Sequence, residues 1–491
     1  MTFNRLSMKK NRLHSSLVRS TVAVAALALL AGCAVGPAYE RPETPAPAMW
    51  KEAPVAEGWS PAVPADALER GEWWKLFNDP GLNELAARVQ LSNQNIAAAV
   101  ANYAQAQAAV REQRAALFPT VALTGSARRS GERTPGSTSG SANVALGASW
   151  EPDLWGRLRE SVSSAQATAQ ASEADLASAR LSMLGELAIN YFSLREADAE
   201  LGVLASTIEG YERSLTITRN RYEAGIAAQS DVLQAETLLA NTRAQHAATV
   251  RTRAALEHAI AVLTGVPPSG FSVPQVAWTP VVPRIPSGVP SELLQRRPDI
   301  AAAERDVSVA NSQIGIARSA YFPSFSIDAS LGRSSTRVAD LFNASNTLWS
   351  LGLSVAQVVF DAGAIGARVD QANASRDAAI ARYRQTVLAA FQAVEDQLSA
   401  AASLEQQLQQ YIIASQAADK TEQQIINRYR AGQVGYTEVV VAQASALNAR
   451  RNVLQLQVAQ QLAAIGLIQA LGGGWQAQWM AQGSRGESSA D

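Results

Sequence analysis

The sequence predicts an α+β membrane protein in which one unit, two β-strands with a pair of long helices, is present twice. Three observations support this fold class: motifs that recur in the same order, alternation of apolar and polar residues after each Phe-Pro motif, and long proline-free stretches rich in Ala and Gln. Only 17% of the 491 residues are charged, below the ~25% that is usual in soluble domains. A membrane, a lumen or a partner must therefore cover part of the surface.

The composition argues against several function classes. Lys and Arg total 42 and Asp and Glu total 43, so the chain lacks the basic excess of a protein that binds nucleic acid. One cysteine and three histidines exclude an intramolecular disulfide and a cysteine-cluster metal site. The sequence contains no HExxH motif and no phosphate-binding glycine loop. We therefore expect no enzymatic activity, no cofactor and no bound metal.

Residues 1–32 have the pattern of a bacterial lipoprotein signal peptide. A basic segment precedes the apolar run Thr21–Leu30, which is shorter than the ~20 residues of a membrane-spanning helix. The run leads to Leu30-Ala31-Gly32-Cys33, which resembles a lipobox. We expect Cys33 to begin the mature chain and to carry the lipid, diacylglycerol and palmitate. The alternative is an ordinary signal peptide followed by a chance cysteine.

The segment that follows the signal is rich in proline. Seven prolines lie between Gly36 and Pro64 and favour an extended, polyproline-like path. We interpret residues 33–79 as a lipid-anchored strap, and a disordered linker is the alternative. No later stretch is long and apolar enough for a transmembrane helix, so any membrane span must consist of strands.

The body of the protein is a tandem duplication. The first copy is predicted at 80–270, a proline-rich linker at 271–290, the second copy at 291–475, and a flexible tail at 476–491. Three landmarks recur at offsets of 204 to 208 residues: Leu117-Phe118-Pro119 as Tyr321-Phe322-Pro323, Arg221–Gly225 as Arg428–Gly432, and Leu263–Gly265 as Leu471–Gly473.

Each Phe-Pro motif is followed by two segments with a period of two residues. Val121, Leu123 and Ala127 alternate with polar residues in the first copy, and the second copy repeats the pattern. We predict strands within about 118–153 and 322–361, with one face toward lipid and one toward a wet lumen. A soluble sandwich would alternate in the same way.

Four strands cannot close a barrel, because the smallest single-chain barrels have about eight and open edges are not tolerated in lipid. The chain must pool its strands with other copies. The composition does not distinguish two copies from three.

Long helices make up the rest of each copy. They are predicted at Arg157 to Arg221, Gly225 to Leu263, Ala364 to Arg430 and Tyr436 to Leu471. A stretch of about 60 residues would span roughly 90–100 Å. Small apolar residues permit close helix packing, and uncharged polar ones suit a wet wall. A soluble coiled-coil spacer is the alternative.

This order of elements resembles the outer-membrane efflux protein family, the TolC-like outer-membrane factors, and most closely its lipidated drug-efflux (NodT-type) branch. The resemblance covers nearly the whole mature chain. It implies a homotrimer with a twelve-stranded β-barrel in the outer membrane and a twelve-helix periplasmic barrel, which works with a periplasmic adaptor protein and an inner-membrane pump of the resistance-nodulation-division type. The matching motifs are Cys33–Pro37, Trp73–Phe77, Arg296–Ile300, both Arg-Tyr-x-Ala-Gly segments, and Leu471–Trp475.

The resemblance also implies a periplasmic gate at the helix turns. Gly225 and Gly432 would form the turns, and Glu438 would give a ring of three carboxylates in a trimer. A second acidic position of the family is Val441 here, which argues against a double ring. Asp231 and Glu438 could equally be helix-start residues that compensate the dipole. Arg221, Tyr222, Arg428 and Tyr429 are candidates for contacts between neighbouring hairpins, with solvated faces as the alternative.

The implied function is the exit duct of a tripartite efflux system that exports drugs or other small molecules. The channel of a type I protein secretion system is an alternative. A periplasmic coiled-coil lipoprotein without a channel is another, but it would not account for the four alternating strands.

Overall fold

A computed structural model describes residues 35–52, 71–131, 138–285, 296–343 and 347–474. The described residues fall into two compact units, with segments from 1–43, 102–172 and 302–383 in the first and from 44–101, 173–301 and 384–491 in the second. Cys33 and the signal peptide lie outside the described residues. The elements are α1 Pro80–Ser92, α2 Gln94–Ala115, β1 Thr120–Gly131, β2 Thr138–Trp150, α3 Arg157–Glu223, α4 Gln229–Leu263, α5 Pro298–Ser319, β3 Ser324–Ser335, β4 Thr347–Ala356, α6 Ala364–Arg430 and α7 Tyr436–Ala470.

The first unit contains one antiparallel sheet in the order β1-β2-β3-β4. Paired residues of antiparallel strands share a face, so the register divides the sheet into two surfaces. One row across all four strands is Leu123, Leu146, Leu331 and Trp349, and these side chains are 49% to 77% exposed. The row beside it, on the opposite face, is Thr124, Ala145, Gly332 and Leu348. The period-two pattern is therefore confirmed: the first face, which we call the outward face, is apolar, and the second, which we call the inner face, consists mostly of small or polar residues.

The two edge strands, β1 and β4, are exposed along their whole length. Each edge presents unpaired backbone N–H and C=O groups, which need partners wherever the sheet meets lipid. The sheet of one chain is therefore incomplete as a membrane structure.

Aromatic residues connect the strands of the two copies where they meet the helices. The Trp155 ring stacks on Phe322 at a centroid distance of 4.8 Å, and its Nε1 donates to the carbonyl oxygen of Pro323 at 2.6 Å. The Trp150 Nε1 donates to the carbonyl oxygen of Leu117 at 3.0 Å. Both Phe-Pro motifs thus lie at strand–helix junctions, and each accepts a tryptophan hydrogen bond.

The helices repeat with equal lengths, 67 residues for α3 and α6 and 35 residues for α4 and α7. We expected no helix after the signal peptide to be long and apolar enough to cross a membrane. Helix α7 is an exception, because it meets both criteria by length and composition alone. Since 44% of its most apolar window is buried in the protein, a core helix explains the composition equally well.

The helical pattern of Pro80 to Ala116 is interrupted at Asn93, which the spacing did not predict. The Asn93 Oδ1 accepts hydrogen bonds from the N–H groups of Asn95 and Ile96 at 2.9 and 3.1 Å, as an N-cap does. Its Nδ2 donates to the Leu263 carbonyl oxygen at 2.8 Å. The break therefore starts α2 and also ties it to the end of α4.

The described part of the proline-rich strap contacts helices in each unit. In the first unit the Tyr39 hydroxyl donates to the buried Glu304 carboxylate at 2.9 Å. In the second, the buried Trp50 ring packs edge-on against Phe391 at 6.0 Å, and the backbone N–H of Lys51 donates to Glu395 at 2.8 Å. These contacts account for an ordered path over residues 35–52.

One ionic contact joins α3 to α7 in the second unit. The Arg451 Nε donates to Glu200 Oε1 at 2.5 Å. Burial raises the pKa of Glu196, which lies one turn earlier, and repulsion from Glu200 raises it further, whereas attraction to Arg451 lowers it. Glu200 is thus paired, and Glu196 is a partly buried acid whose ionised form is disfavoured.

We predict that Glu196→Gln raises the thermal unfolding midpoint of the detergent-solubilised protein at pH 7.5. The gain should shrink as the pH falls toward 5, because the folded chain binds the Glu196 proton more readily than the unfolded chain does. Glu200→Gln is the matched control and should lower stability by ~1 kcal/mol through loss of the ion pair. A gain that is independent of pH would contradict this assignment.

Candidate functional site

Both helix hairpins turn at a glycine with left-handed backbone. Gly225, between α3 and α4, has φ +75°, and Gly432, between α6 and α7, has φ +72°. The Gly225 N–H donates to the Tyr222 carbonyl oxygen at 2.8 Å, and the Gly432 N–H donates to the Tyr429 carbonyl oxygen at 2.9 Å. Residues with a Cβ rarely adopt this conformation, which explains why both Arg-Tyr-x-Ala-Gly motifs end in glycine.

Arg221 reaches from the first turn to the second. Its Nη1 donates to the carbonyl oxygens of Tyr429 and Arg430 at 2.8 and 3.3 Å. The guanidinium carbon lies 4.8 Å from the centroid of the Tyr429 ring, within the range of a cation–π contact. One side chain of the first motif therefore contacts both the backbone and the ring of the second.

Tyr429 belongs to a small apolar core below the turns. It is 5% exposed and Tyr436 is 2% exposed, and the two rings meet edge-on at 5.3 Å. The Tyr429 hydroxyl donates to Thr218 Oγ1 at 3.3 Å. Burial, followed by the nearby Tyr429 and Asp231, raises the pKa of Tyr436 to about 12. The Tyr436 phenol is therefore neutral at physiological pH. The core is formed by Ala235, Tyr429, Tyr436 and Val439.

The corresponding residues of the two motifs do not have corresponding environments. Tyr222 is 43% exposed, although its counterpart Tyr429 is buried. Arg428 is exposed and forms no side-chain hydrogen bond or ion pair within the described part of the chain, although its counterpart Arg221 forms two hydrogen bonds. The structure thus brings together Arg221 and Tyr429 and leaves Tyr222 and Arg428 at the surface.

The two predicted acids lie in the first turns of the returning helices. Asp231 is in the first turn of α4 and is partly exposed, and Glu438 is in the first turn of α7 and is exposed. A carboxylate at a helix N-terminus is stabilised by the macrodipole. Val441, one turn after Glu438, is 64% exposed.

Tyr436 and Thr218 are members of the site that the motifs did not reveal. Both lack a counterpart of the same type in the other copy, where Gln229 and Ile425 occupy the positions 207 residues away. The repeated motifs therefore do not indicate Tyr436 and Thr218. The signal for Tyr436 was an aromatic residue directly after Gly435, where a helix begins.

Comparisons with known proteins agree with this architecture. The family model described as outer membrane efflux protein matches residues 85–266 and 289–473. The probable efflux pump outer membrane protein TtgC of Pseudomonas putida is 32% identical over 475 residues, which cover 94% of this chain and 97% of the relative. The pyoverdine export outer membrane protein OpmQ of Pseudomonas aeruginosa is 32% identical over 473 residues, which cover 92% and 96%.

Solved structures show the same likeness. The outer-membrane channel OprN has a TM-score of 0.82 and 31% identity, with 90% of this chain and all of that chain covered. The open state of the MtrE channel of Neisseria gonorrhoeae has a TM-score of 0.81 and 28% identity, with 91% and 99% covered.

The chain belongs to the outer membrane efflux protein family.

As a member of this family the protein is an outer-membrane efflux channel and not an enzyme. The α+β membrane fold expected from the alternating strands and long helices is confirmed. Among the described residues, no group of three or more His, Cys, Asp or Glu side chains is arranged to hold a metal ion. The residues that can act in such a channel are those that line it or hold its helix hairpins together.

The Arg221 contact gives a prediction for the efflux channel. Arg221→Ala should weaken the packing of the two turns by roughly 1.5–3 kcal/mol, because it removes charged hydrogen bonds to two carbonyl groups and the contact with the Tyr429 ring. Hydrogen exchange of the backbone amides of 429–436 should then be faster. Arg430→Ala is the matched control, since this exposed side chain forms no hydrogen bond or ion pair among the described residues. Unchanged exchange in Arg221→Ala would contradict the contact.

Proposed function

We propose that this efflux channel works as a homotrimer in which twelve strands close one barrel and the long helices line a periplasmic duct. The observation that carries the proposal is the four-stranded sheet with two exposed edges, β1 and β4. Pairing β4 of one copy with β1 of the next would supply the missing hydrogen bonds in lipid. Helix α2 supports association as well, because Ile96 is its only buried residue.

The inner face of the sheet would line the channel, and its residues favour weak selectivity between solutes. Within the paired rows it consists of small or uncharged side chains, with Arg128 and Asp328 as the only charged residues. Such a lining offers hydrogen bonds without selecting strongly for one charge. We infer that the channel exports small molecules of varied chemistry and that their selection occurs at an inner-membrane pump of the resistance-nodulation-division type, joined to the channel by a periplasmic adaptor protein.

Periplasmic gating is assigned in this proposal to the two helix turns. Hairpin one consists of α3 and α4, and hairpin two consists of α6 and α7. Within a chain the two hairpins are neighbours, and in a closed trimer hairpin two would also be the neighbour of hairpin one of the next chain. Arg428 and Tyr222 are therefore free to form between chains the contact that Arg221 and Tyr429 form within a chain. Glu438 is exposed near this turn and would contribute a ring of three carboxylates, and Asp231 is the partly exposed acid at the equivalent position of the first hairpin.

The outer membrane is the site of action, and we propose that Cys33 adds a lipid anchor. The support is the lipobox-like Leu30–Cys33 and the absence of any other cysteine from the sequence. The strap that follows would then lead from the membrane to Tyr39, which hydrogen-bonds to Glu304.

Cysteine crosslinking tests the trimer and the gate together. Tyr222→Cys combined with Arg428→Cys should be joined between chains by a bismaleimide crosslinker, so that denaturing gels show linked oligomers. A crosslinker with a spacer is needed because the contact is made by the ends of two long side chains, and a direct disulfide requires closely spaced backbones. Arg221→Cys with Tyr429→Cys is the matched control, because its crosslink should stay within one chain and leave the band at monomer size. The sequence is suited to this test because Cys33 is its only native cysteine. Monomers alone from the first pair, with the control crosslink detected by mass spectrometry, would refute the proposed contact between chains.

The role of Glu438 is tested by single-channel recording in planar bilayers. Glu438→Ala should reduce the preference for cations over anions by several-fold, because a ring of carboxylates concentrates cations at a constriction. Val441→Thr is a control of similar size one turn further along α7. Unchanged conductance and cation preference in Glu438→Ala would remove this residue from the gate.

A further inference from the structure

The outward, apolar face of the sheet ends in arginines at the end that carries the strand-connecting loops. The register pairs Val144 with Arg333 and Arg129 with Gly140, and both pairs continue the face of Leu146 and Leu331. Arg337 follows two residues after the last paired residue of β3 in extended backbone (φ −130°, ψ 139°), which extends the same alternation. Three guanidinium groups per chain therefore border the lipid-facing surface.

Two of these arginines flank a position without a side chain. Continuing the β2–β3 register places Arg337 opposite Gly140, so that Arg129, Gly140 and Arg337 form one row. At a strand spacing of about 4.8 Å, the backbones of the two arginines are roughly 10 Å apart. A Cβ at Gly140 would lie 2.6 Å from the Thr336 carbonyl oxygen, so a larger residue does not fit there without a backbone shift, and the row carries no side chain between the two arginines.

The third arginine is fixed in place by its own chain. The Arg333 Nη1 donates to the Phe342 carbonyl oxygen at 2.6 Å, and its guanidinium carbon lies 6.0 Å from the Phe342 ring centroid. This bond uses one of its five N–H donors. Arg129 and Arg337 are exposed and form no side-chain hydrogen bond or ion pair among the described residues.

The charge on this border is not compensated by the sheet. Within the described strands the outward face carries no Asp or Glu, since Asp328 is on the inner face. Asp340, in the turn Val338–Asp340, is the carboxylate that follows Arg337. Among the described residues of this border, three cations and one anion leave an excess of positive charge next to an apolar surface that includes Leu331 and Trp349, which are 56% and 77% exposed.

We propose that Arg129, Arg333 and Arg337 bind the phosphate groups of a phosphorylated lipid in the outer leaflet. The helices are attached at the opposite end of the strands from the arginines. Because the long helices of an outer-membrane channel would extend into the periplasm, the arginines would lie at the outer leaflet. Guanidinium groups match phosphate oxygens bidentately, and the apolar rows directly below would contact the acyl chains of the same lipid. The inference depends on the membrane position of the sheet and not on the trimer contacts or the gate.

The experiment measures how much lipid the full-length purified channel retains, by native mass spectrometry after exposure to micelles of diphosphoryl lipid A. Arg129→Ser combined with Arg337→Ser should reduce retention about tenfold, because both exposed guanidinium groups are lost. The double change to Lys should lose less, since charge remains but bidentate geometry does not. Arg128→Ser is the matched control, because this neighbour of Arg129 has the same charge on the inner face, and retention should stay at the level of the unmodified protein.

Three results would overturn the proposal. Equal loss in Arg128→Ser and in the Arg129/Arg337 double variant would show an effect of net charge and not a site on the outward face. Equal retention of lipid A and of its dephosphorylated form would show binding through acyl chains alone. Displacement of lipid A by 10 mM inorganic phosphate would assign the arginines to free anions, which also contradicts a lipid site. A circular dichroism spectrum equal to that of the unmodified protein verifies that each variant is folded.

Discussion

Hydrogen bonding of strand backbone in lipid is the constraint on which the rest of this molecule depends. The described part of the chain contains four strands, β1 to β4, and both edges of their sheet are exposed. Water is absent from the bilayer core, so the free N–H and C=O groups of those edges need strands from other chains. Association is therefore a condition for membrane insertion, and any helix attached to the strands is brought into the same assembly.

Duplication of the strand and helix unit gives each chain two pairs of strands. It also gives each chain two similar helix turns, at the end of the long helices away from the sheet. The two Arg-Tyr-x-Ala-Gly motifs are equivalent in sequence, yet Arg221 and Tyr429 contact each other while Arg428 and Tyr222 stay exposed. In the proposed trimer the two kinds of hairpin would alternate around a ring, and each motif would have a neighbour on both sides. A single chain supplies only one of the two kinds of junction, so the proposal accounts for the exposure of Arg428 and Tyr222 in one protomer.

Most of the fold followed from periodicity, because strands and helices of this length repeat their apolar spacing many times. The structure has helix Arg157–Glu223 where a helix from Arg157 to about Arg221 was expected, and the row that contains Leu123 and Leu331 lies on the apolar face that the alternation predicted. Asn93 was missed because its capping role depends on the Leu263 carbonyl oxygen, 170 residues away in sequence. Tyr436 was missed because its partners Tyr429 and Thr218 come from other helices. Contacts distant in sequence leave no periodic signal.

The distribution of charged residues over the surfaces explains why only 17% of the sequence is charged. Along the helices, charges occur as pairs between neighbouring segments, such as Arg243 with Glu212 and Arg219 with Glu236. The outward sheet face excludes carboxylates and places arginines only at its border, while the inner face is largely uncharged. A charge in the middle of the outward face would meet hydrocarbon, and a dense set on the inner face would bind one class of solute and slow its exit. The low charged content is therefore a consequence of two surfaces, one that must be apolar and one that must remain weakly selective.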